Sequence, residues 1–132
     1  MTRSVITADE FLTAPALDRA KMDVPVPELG EDKVIPVWGM TPRERTDFED
    51  AQSRLTKAQQ AKHKREIRER ILVECCRADD GSKLFTSQQI EQLSQRRGDV
   101  VERLVNVALE LSGFTGQDIE KIAKNSEAAT EE

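Results

Sequence analysis

The sequence predicts a mainly α protein: a small helical domain with a long central helix and an N-terminal β-hairpin. Three observations support this class. Apolar residues recur at three- and four-residue spacing through most of the chain after residue 41, which is typical of amphipathic helices. Valines alternate with prolines between residues 21 and 38, and turn residues separate the segments. A chain of 132 residues with 37% hydrophobic content fits one domain.

Residues 1–20 are predicted to form an N-terminal extension with one short helix. Thr7 and Glu10 have the spacing of a capping box, in which each side chain binds the backbone amide of the other residue. Phe11 and Leu12 follow at once and give the helix a small apolar face. Because so short a helix buries little surface, we expect it to dock weakly.

The domain itself is expected to cover residues 21–125 and to open with a β-hairpin. Residues 21–29 and 33–38 are the two strands, and a Gly-Glu-Asp turn lies between them. Proline has no amide for a central ladder, so these strands belong at an edge or in an isolated ribbon. Trp38 is the largest apolar side chain available to bury where this ribbon meets a helix.

The central helix is predicted to run from Pro42 to Ala78. Thr41 caps its start, Pro42 takes the first helical position, and Glu44 completes a capping box. The Asp-Asp-Gly turn at 79–81 ends it. A single helix over these residues would be about 55 Å long at 1.5 Å per residue.

The apolar stripe of this helix is interrupted in its middle. Residues 56–66 are almost wholly polar and basic, so they offer no burial that would hold the helix straight. We therefore expect a hinge or strain between Ser53 and Lys64. The apolar positions are Phe48, Ala51, Leu55 and Ala58 in the first part, and Ile67, Ile71, Leu72 and Cys75 in the last part.

A short helix is expected after the turn at 79–81. Leu84 and Phe85 are predicted to insert their side chains into the core from an extended piece. Thr86 caps the helix with Gln89 three residues later, and Gly98 is predicted to stop it.

The last third of the chain is predicted to contain two more helices. A broad apolar stripe over residues 100–111 indicates a buried helix that ends at Gly113. A final helix is expected to start at Thr115. Residues 126–132 are small, polar and acidic, so we expect a disordered tail.

No arrangement of side chains predicts catalysis, a cofactor or a metal site. Cys75 and Cys76 lack the two-residue gap of a zinc or redox motif and cannot readily bond each other, so we interpret them as reduced core thiols. His63 has no nucleophile or carboxylate arrangement around it, which favours a solvated helix position. The acidic turn at 79–81 lacks the ligand pattern of a calcium loop.

The sequence also predicts where in the cell the protein is located. No apolar run approaches the length of a membrane span, and the N-terminus lacks the apolar core of a signal peptide. We therefore expect a cytosolic protein that does not enter the membrane.

The charge of the chain is divided unevenly. The net charge is −5, yet residues 54–70 hold seven Lys and Arg against two Glu, a balance of +5. A basic helical face is most often simply solvated, but it could bind an acidic partner surface, including one on a second copy, or the phosphates of nucleic acid. The acidic remainder of the chain and the lack of interleaved aromatics make nucleic acid the weaker alternative. The basic candidates for partner binding are Arg54, Lys57, Lys62, Lys64, Arg65 and Arg68.

Trp38 and Phe48 are the apolar candidates for partner binding. Proline-rich edge strands and a lone indole are not easily buried in so small a core, which predicts client binding or self-association near the hairpin and the first helical turns. Burial of the indole in the core is the alternative.

Several segments together resemble the tail assembly chaperones of long-tailed, siphovirus-type bacteriophages. The resemblance covers roughly residues 20–125, and residues 1–20 depart from it. The residues that carry it are Val37-Trp38-Gly39, Met40-Thr41-Pro42-Arg43-Glu44-Arg45 with Phe48-Glu49, the turn from Ala78 to Thr86, the helix from Val100 to Ser112 leading to Gly113-Phe114-Thr115, and Asn125-Ser126.

This resemblance implies a non-enzymatic protein of tail morphogenesis. Such a chaperone coats the tape measure protein, keeps it soluble and helps recruit tail tube subunits in the host cytoplasm, and it leaves before the virion is finished. The alternative from another class is a small helical nucleic-acid-binding regulator that uses residues 54–70.

The resemblance further implies that a longer form of the protein is made. Many members of the family are produced in two forms, the longer one through a −1 ribosomal frameshift near the end of the shorter reading frame. The codons of Ala123, Lys124 and Asn125 could contain the slip sequence A AAA AAC, because GCA AAA AAC encodes these residues. The gene sequence, with an open −1 frame beyond that point, tests this expectation.

Overall fold

The computed structural model describes residues 3–114 and residue 117, and its architecture is mainly α with an N-terminal hairpin, as predicted. The predicted last helix from Thr115, the tail at 126–132 and the codon site at 123–125 lie outside the described residues. The helices are α1 (Ala8–Thr13), α2 (Pro42–Ser53), α3 (Lys57–Arg65), α4 (Ile67–Cys75), α5 (Ile90–Leu93) and α6 (Gly98–Leu111), and the strands are β1 (Lys21–Pro25) and β2 (Val34–Trp38).

A two-stranded hairpin forms, as predicted, and lies against α6, but its first strand is shorter than predicted: it ends at Pro25, and Pro27–Leu29 form a 3-10 helix instead of strand. Strands β1 and β2 pair antiparallel with Lys21 opposite Trp38, and they make a two-stranded sheet. The free edge of β2 meets the chain after α4, where Arg77 donates its amide to the carbonyl of Pro36 at 3.1 Å. Pro36 has no amide of its own, so its place near the edge agrees with the predicted ribbon.

The core is aliphatic and lies between the hairpin, α4 and α6. Helix α6 packs against α4 and against both strands. Both thiols lie at the centre of this cluster. Its buried members are Val24, Val37, Met40, Ile71, Leu72, Cys75, Cys76, Leu104, Val105, Ala108 and Leu109.

The central stretch is not one long helix, which corrects that part of the prediction. It is divided into α2, α3 and α4, and the first break at 54–56 falls inside the interval 53–64 where we expected a hinge or strain. Thr56 starts α3 with its own capping box, because its hydroxyl accepts from the amide of Gln59 and the Gln59 side chain accepts from the Thr56 amide. A second break at Glu66 lies beyond the predicted interval.

Two details after the central stretch differ from the prediction. Gly98 does not stop a helix but is the first residue of α6, since the preceding helix already ends at Leu93. Phe85 packs against the core, whereas Leu84 is exposed. The left-handed glycine at the end of α6 is confirmed, with Gly113 at a φ of 81°.

Residues 3–17, called the arm below, precede the hairpin. Thr7 caps helix α1, as predicted, with its hydroxyl accepting from the Glu10 amide at 3.1 Å. The reciprocal half of the predicted capping box does not form, because the Glu10 carboxylate accepts from the Thr7 hydroxyl at 3.5 Å. None of the residues in α1 is buried. The arm therefore keeps its apolar side chains in water.

Candidate partner-binding site

An open cleft of about 540 Å³ separates α2 from the body of the domain. Phe48 and Ala51 of α2 form one apolar wall, and Val73, Phe85 and Ile90 line the cleft from the body. Apolar walls with charged groups at their edges are suited to an apolar side chain of another protein. The polar lining consists of Glu44, Asp47, His63, Arg70, Glu74, Lys83, Thr86 and Ser87.

Helix α2 is held mainly at its first turn. The predicted capping box is present, with the Glu44 amide 3.2 Å from the Thr41 hydroxyl and the Thr41 amide 3.0 Å from the Glu44 carboxylate. The same carboxylate pairs with Arg19 at 2.8 Å and with Arg77 at 3.1 Å. One turn later Phe48 packs only partly against the core. The cleft opens along this side of the helix.

These contacts keep Glu44 ionised. Partial burial disfavours the charged carboxylate, but the Thr41 amide and the guanidinium groups of Arg19 and Arg77 outweigh that cost. The pKa of Glu44 therefore lies below its ordinary value. The Glu44 carboxylate thus joins the start of α2 to Arg19, which precedes β1, and to Arg77, which follows α4.

His63 lies in this cleft, so the expectation of a solvated position is wrong. Its side chain is only 8% exposed, and its Nδ1 has no hydrogen-bond partner within the described part of the chain. Burial, and then the nearby Arg70 guanidinium, lower the pKa of His63 and favour the neutral imidazole. Successive helical side chains are about 100° apart, so His63 can face inward although its neighbours Lys62 and Lys64 are charged.

The basic candidates do not all lie on one exposed face. The half-buried Arg68 binds Glu102 of α6 at 2.7 Å, and Lys64 is also half-buried. Glu66 accepts from Arg70 at 2.9 Å and lies 4.0 Å from Lys62. The candidates that are exposed are Arg54, Lys57, Lys62 and Arg65, on the segment that also places His63 in the cleft.

Trp38 does not line this cleft. Its ring lies at the end of β2, half-buried beneath two cations, with the Arg19 guanidinium 5.7 Å and the Lys21 ammonium 5.3 Å from the ring centre. Arg19 is held in place by a 2.6 Å hydrogen bond to the Gly39 carbonyl. The structure therefore does not bring Trp38 and Phe48 into one apolar surface.

Comparison with protein families gives a match over most of the chain. The sequence profile described as phage tail assembly chaperone matches residues 12–131, which include the hairpin, the cleft and every helix from α2 to α6. The chain belongs to the phage tail assembly chaperone family. Comparisons of this chaperone with curated proteins and with solved structures give no match.

The chaperone's thiols are core residues, as predicted. Cys75 and Cys76 are free and buried, and burial raises the pKa of each thiol to about 12. In the part of the chain that the structure describes, no group of three or more His, Cys, Asp or Glu side chains could hold a metal ion. Within the same residues, every helix is too short or too polar to cross a membrane.

The chaperone has a second groove that the sequence did not predict. It measures about 430 Å³ and lies between the hairpin turn, α4, α5 and the first half of α6. We call it the α6 groove. Its side chains come from four separate elements, so no single periodic pattern in the sequence reveals it. The only local indication is Leu29, a large apolar residue in the turn that stays 64% exposed.

Proposed function

We propose that this tail assembly chaperone binds apolar segments of the tape measure protein in the cleft beside α2, and that it helps recruit tail tube subunits. The observation that carries the proposal is the cleft itself, with Phe48 and Ala51 facing Val73 across an open volume. A groove of that kind takes up apolar side chains of a partner helix or extended segment. A long client whose apolar residues are held in this way stays soluble until the tube forms.

The construction of α2 supports this role. Its first turn is fixed through Glu44, while the rest of the helix contributes exposed or half-buried side chains to the cleft. A wall that is anchored at one end can adjust to different client side chains without disturbing the core. Binding by such a surface needs no catalytic group, and the proposed function is non-enzymatic.

The exposed cations beside the cleft add an electrostatic component. Arg54, Lys57, Lys62 and Arg65 lie on the segment that leads from α2 through α3. They would attract acidic stretches of the client and speed encounter, an effect that salt screens. In this proposal the chaperone acts in the host cytoplasm and is absent from the finished virion.

The cleft can be tested by coexpression with the tape measure protein of the same phage. Ala51→Arg places a charged side chain in the cleft wall, and Thr46→Arg makes a similar change at an exposed position of α2 that does not line the cleft. We expect Ala51→Arg to lose most of the soluble tape measure protein and Thr46→Arg to retain it, with both variants folded by circular dichroism. If the client is equally soluble with Ala51→Arg and with the unchanged chaperone, the proposal that the client binds in the cleft is wrong.

The basic segment needs a separate test. Lys57→Glu and Lys33→Glu change the net charge equally, but only Lys57 lies on α3, the helix that carries His63 into the cleft. We expect Lys57→Glu to weaken client binding and to reduce the salt dependence of that binding, and Lys33→Glu to leave both unchanged.

The nucleic-acid alternative is tested by a mobility shift with duplex DNA and with single-stranded RNA at low salt, for which we expect no retarded species.

A further inference from the structure

The arm presents apolar side chains that the domain does not cover. Phe11 is 57% exposed and Leu12 is 79% exposed, and Val5, Ile6 and Leu17 are exposed as well. Helix α1 is nevertheless preformed, because Thr7 caps it and the Thr13 hydroxyl donates to the carbonyl of Asp9 at 2.8 Å. An ordered helix with an uncovered apolar face is suited to bind a groove with little further loss of conformational freedom.

The face of α1 has a defined composition. At 100° per residue, Ala8, Phe11 and Leu12 share one side of the helix, and Asp9 lies at the border of that side next to Leu12. Glu10 lies on the opposite side. A matching groove would therefore be apolar, with a basic group at its rim.

The α6 groove has that composition. Arg96 and Arg97 lie at its rim, and Arg96 has no ion pair within the described residues, while Arg97 pairs with Asp99 at 2.7 Å. The interior is mostly aliphatic, so the groove complements α1 in both polarity and charge. The apolar lining consists of Val26, Leu29, Ile35, Leu72, Phe85, Leu93, Val100, Val101 and Leu104.

The arm leaves the domain at the end of α6 opposite to the groove. Arg19, at the root of the arm, donates to the Gly39 carbonyl, and Gly39 lies against Leu111 at the end of α6. The groove instead uses Val100, Val101 and Leu104 near the start of that helix. These two ends are about 16 Å apart along the helix axis. In the structure α1 lines no part of the groove of its own chain, and Phe11 and Leu12 stay exposed, so that groove is open to the arm of another copy.

We propose that α1 of one copy docks in the α6 groove of a second copy, with Phe11 and Leu12 among the aliphatic side chains and Asp9 beside Arg96. This contact goes beyond the proposed client function. Phe85 lines both the cleft and the α6 groove, but Ala51 lines only the cleft and Leu29 only the groove, so a variant at either position alters one site alone. Either proposal can therefore fail while the other holds.

Complementary variants test the contact by sedimentation velocity. Phe11→Ser with Leu12→Ser removes the arm's apolar face and leaves the groove intact, whereas Leu29→Glu alters an exposed side chain of the groove and leaves the arm intact. We expect the unchanged protein to associate more at higher concentration and each variant alone to remain monomeric. An equimolar mixture of the two variants should restore a one-to-one dimer, since it contains one working arm and one working groove.

Met22→Ser is the matched control, because Met22 is 52% exposed but belongs to neither the arm nor the groove. It should associate as the unchanged protein does, and thermal melting should show that all variants are folded. Three results would overturn the proposal: a wild-type protein that stays monomeric at every concentration, variants that associate normally, or a mixture of monomeric variants that forms no dimer.

Discussion

Gly39 packs so closely against Leu111 that no side chain fits between them. A Cβ at Gly39 would collide with the Leu111 carbonyl, 2.7 Å from its carbon atom. The neighbouring Met40 amide donates to the Ser112 hydroxyl at 2.8 Å, so the end of β2 is joined to the end of α6 through backbone groups. Hairpin and helix meet at a contact that only glycine permits.

We predict that Gly39→Ala destabilises the protein by about 1–3 kcal/mol, as overpacking against backbone usually does. Gly98→Ala is the control, because a Cβ at that position has nothing within 4 Å and lies at the start of α6. It should be neutral or stabilising by up to about 1 kcal/mol. Urea denaturation monitored by circular dichroism measures both, and equal effects at the two positions would contradict the close contact.

The capping carboxylate of α2 should matter more than other surface carboxylates. Glu44→Gln removes the ionic partner of Arg19 and of Arg77, whose side chain is only 13% exposed, so we expect a loss of about 1–3 kcal/mol. Glu49→Gln removes one exposed pair with Arg45, and its effect should stay below about 0.5 kcal/mol. If thermal melting gives similar losses for both, the Glu44 contacts do not anchor α2.

His63 should make stability depend on pH in a defined window. Its folded pKa is lowered, so the unfolded chain binds the proton more readily, and stability falls as the pH drops below the unfolded value of about 6.5. His63→Gln should show a smaller loss between pH 7 and pH 5. Because the chain has one histidine, no other imidazole contributes to the difference. Parallel pH profiles of the unfolding free energy would mean that His63 titrates as it does in the unfolded chain.

The two core thiols should report global unfolding. With a pKa of about 12 instead of 9.0, the thiolate fraction of Cys75 and of Cys76 near pH 8 falls roughly a thousandfold, and burial also blocks the reagent. We expect slow labelling by iodoacetamide in buffer and rapid labelling of both thiols in denaturant, as counted by mass spectrometry. Rapid labelling in buffer would show that the contact between α4 and the hairpin opens easily.

Much of the local structure follows from the sequence because its causes lie within a few residues. The capping box at Thr41 forms as predicted, with both reciprocal bonds to Glu44. At Thr7 only half of the predicted box forms, because the Glu10 carboxylate lies against the Thr7 hydroxyl and not its amide. The left-handed Gly113 depends only on the lack of a Cβ. The capping box at Thr56 was equally readable, but the charged run around it was taken as continuous helix.

The tertiary structure decided which face of each helix meets the body. The neighbours of His63 in sequence are cationic, yet α3 turns the imidazole into the cleft because its burial depends on α4 and on the chain after it. Trp38 is covered by Arg19 and Lys21 from across the hairpin register, and the α6 groove is assembled from four elements. Capping and turn chemistry act over three or four residues and can be read in order along a chain. Burial is a property of groups brought together from distant positions, and it exists only once the chain has folded.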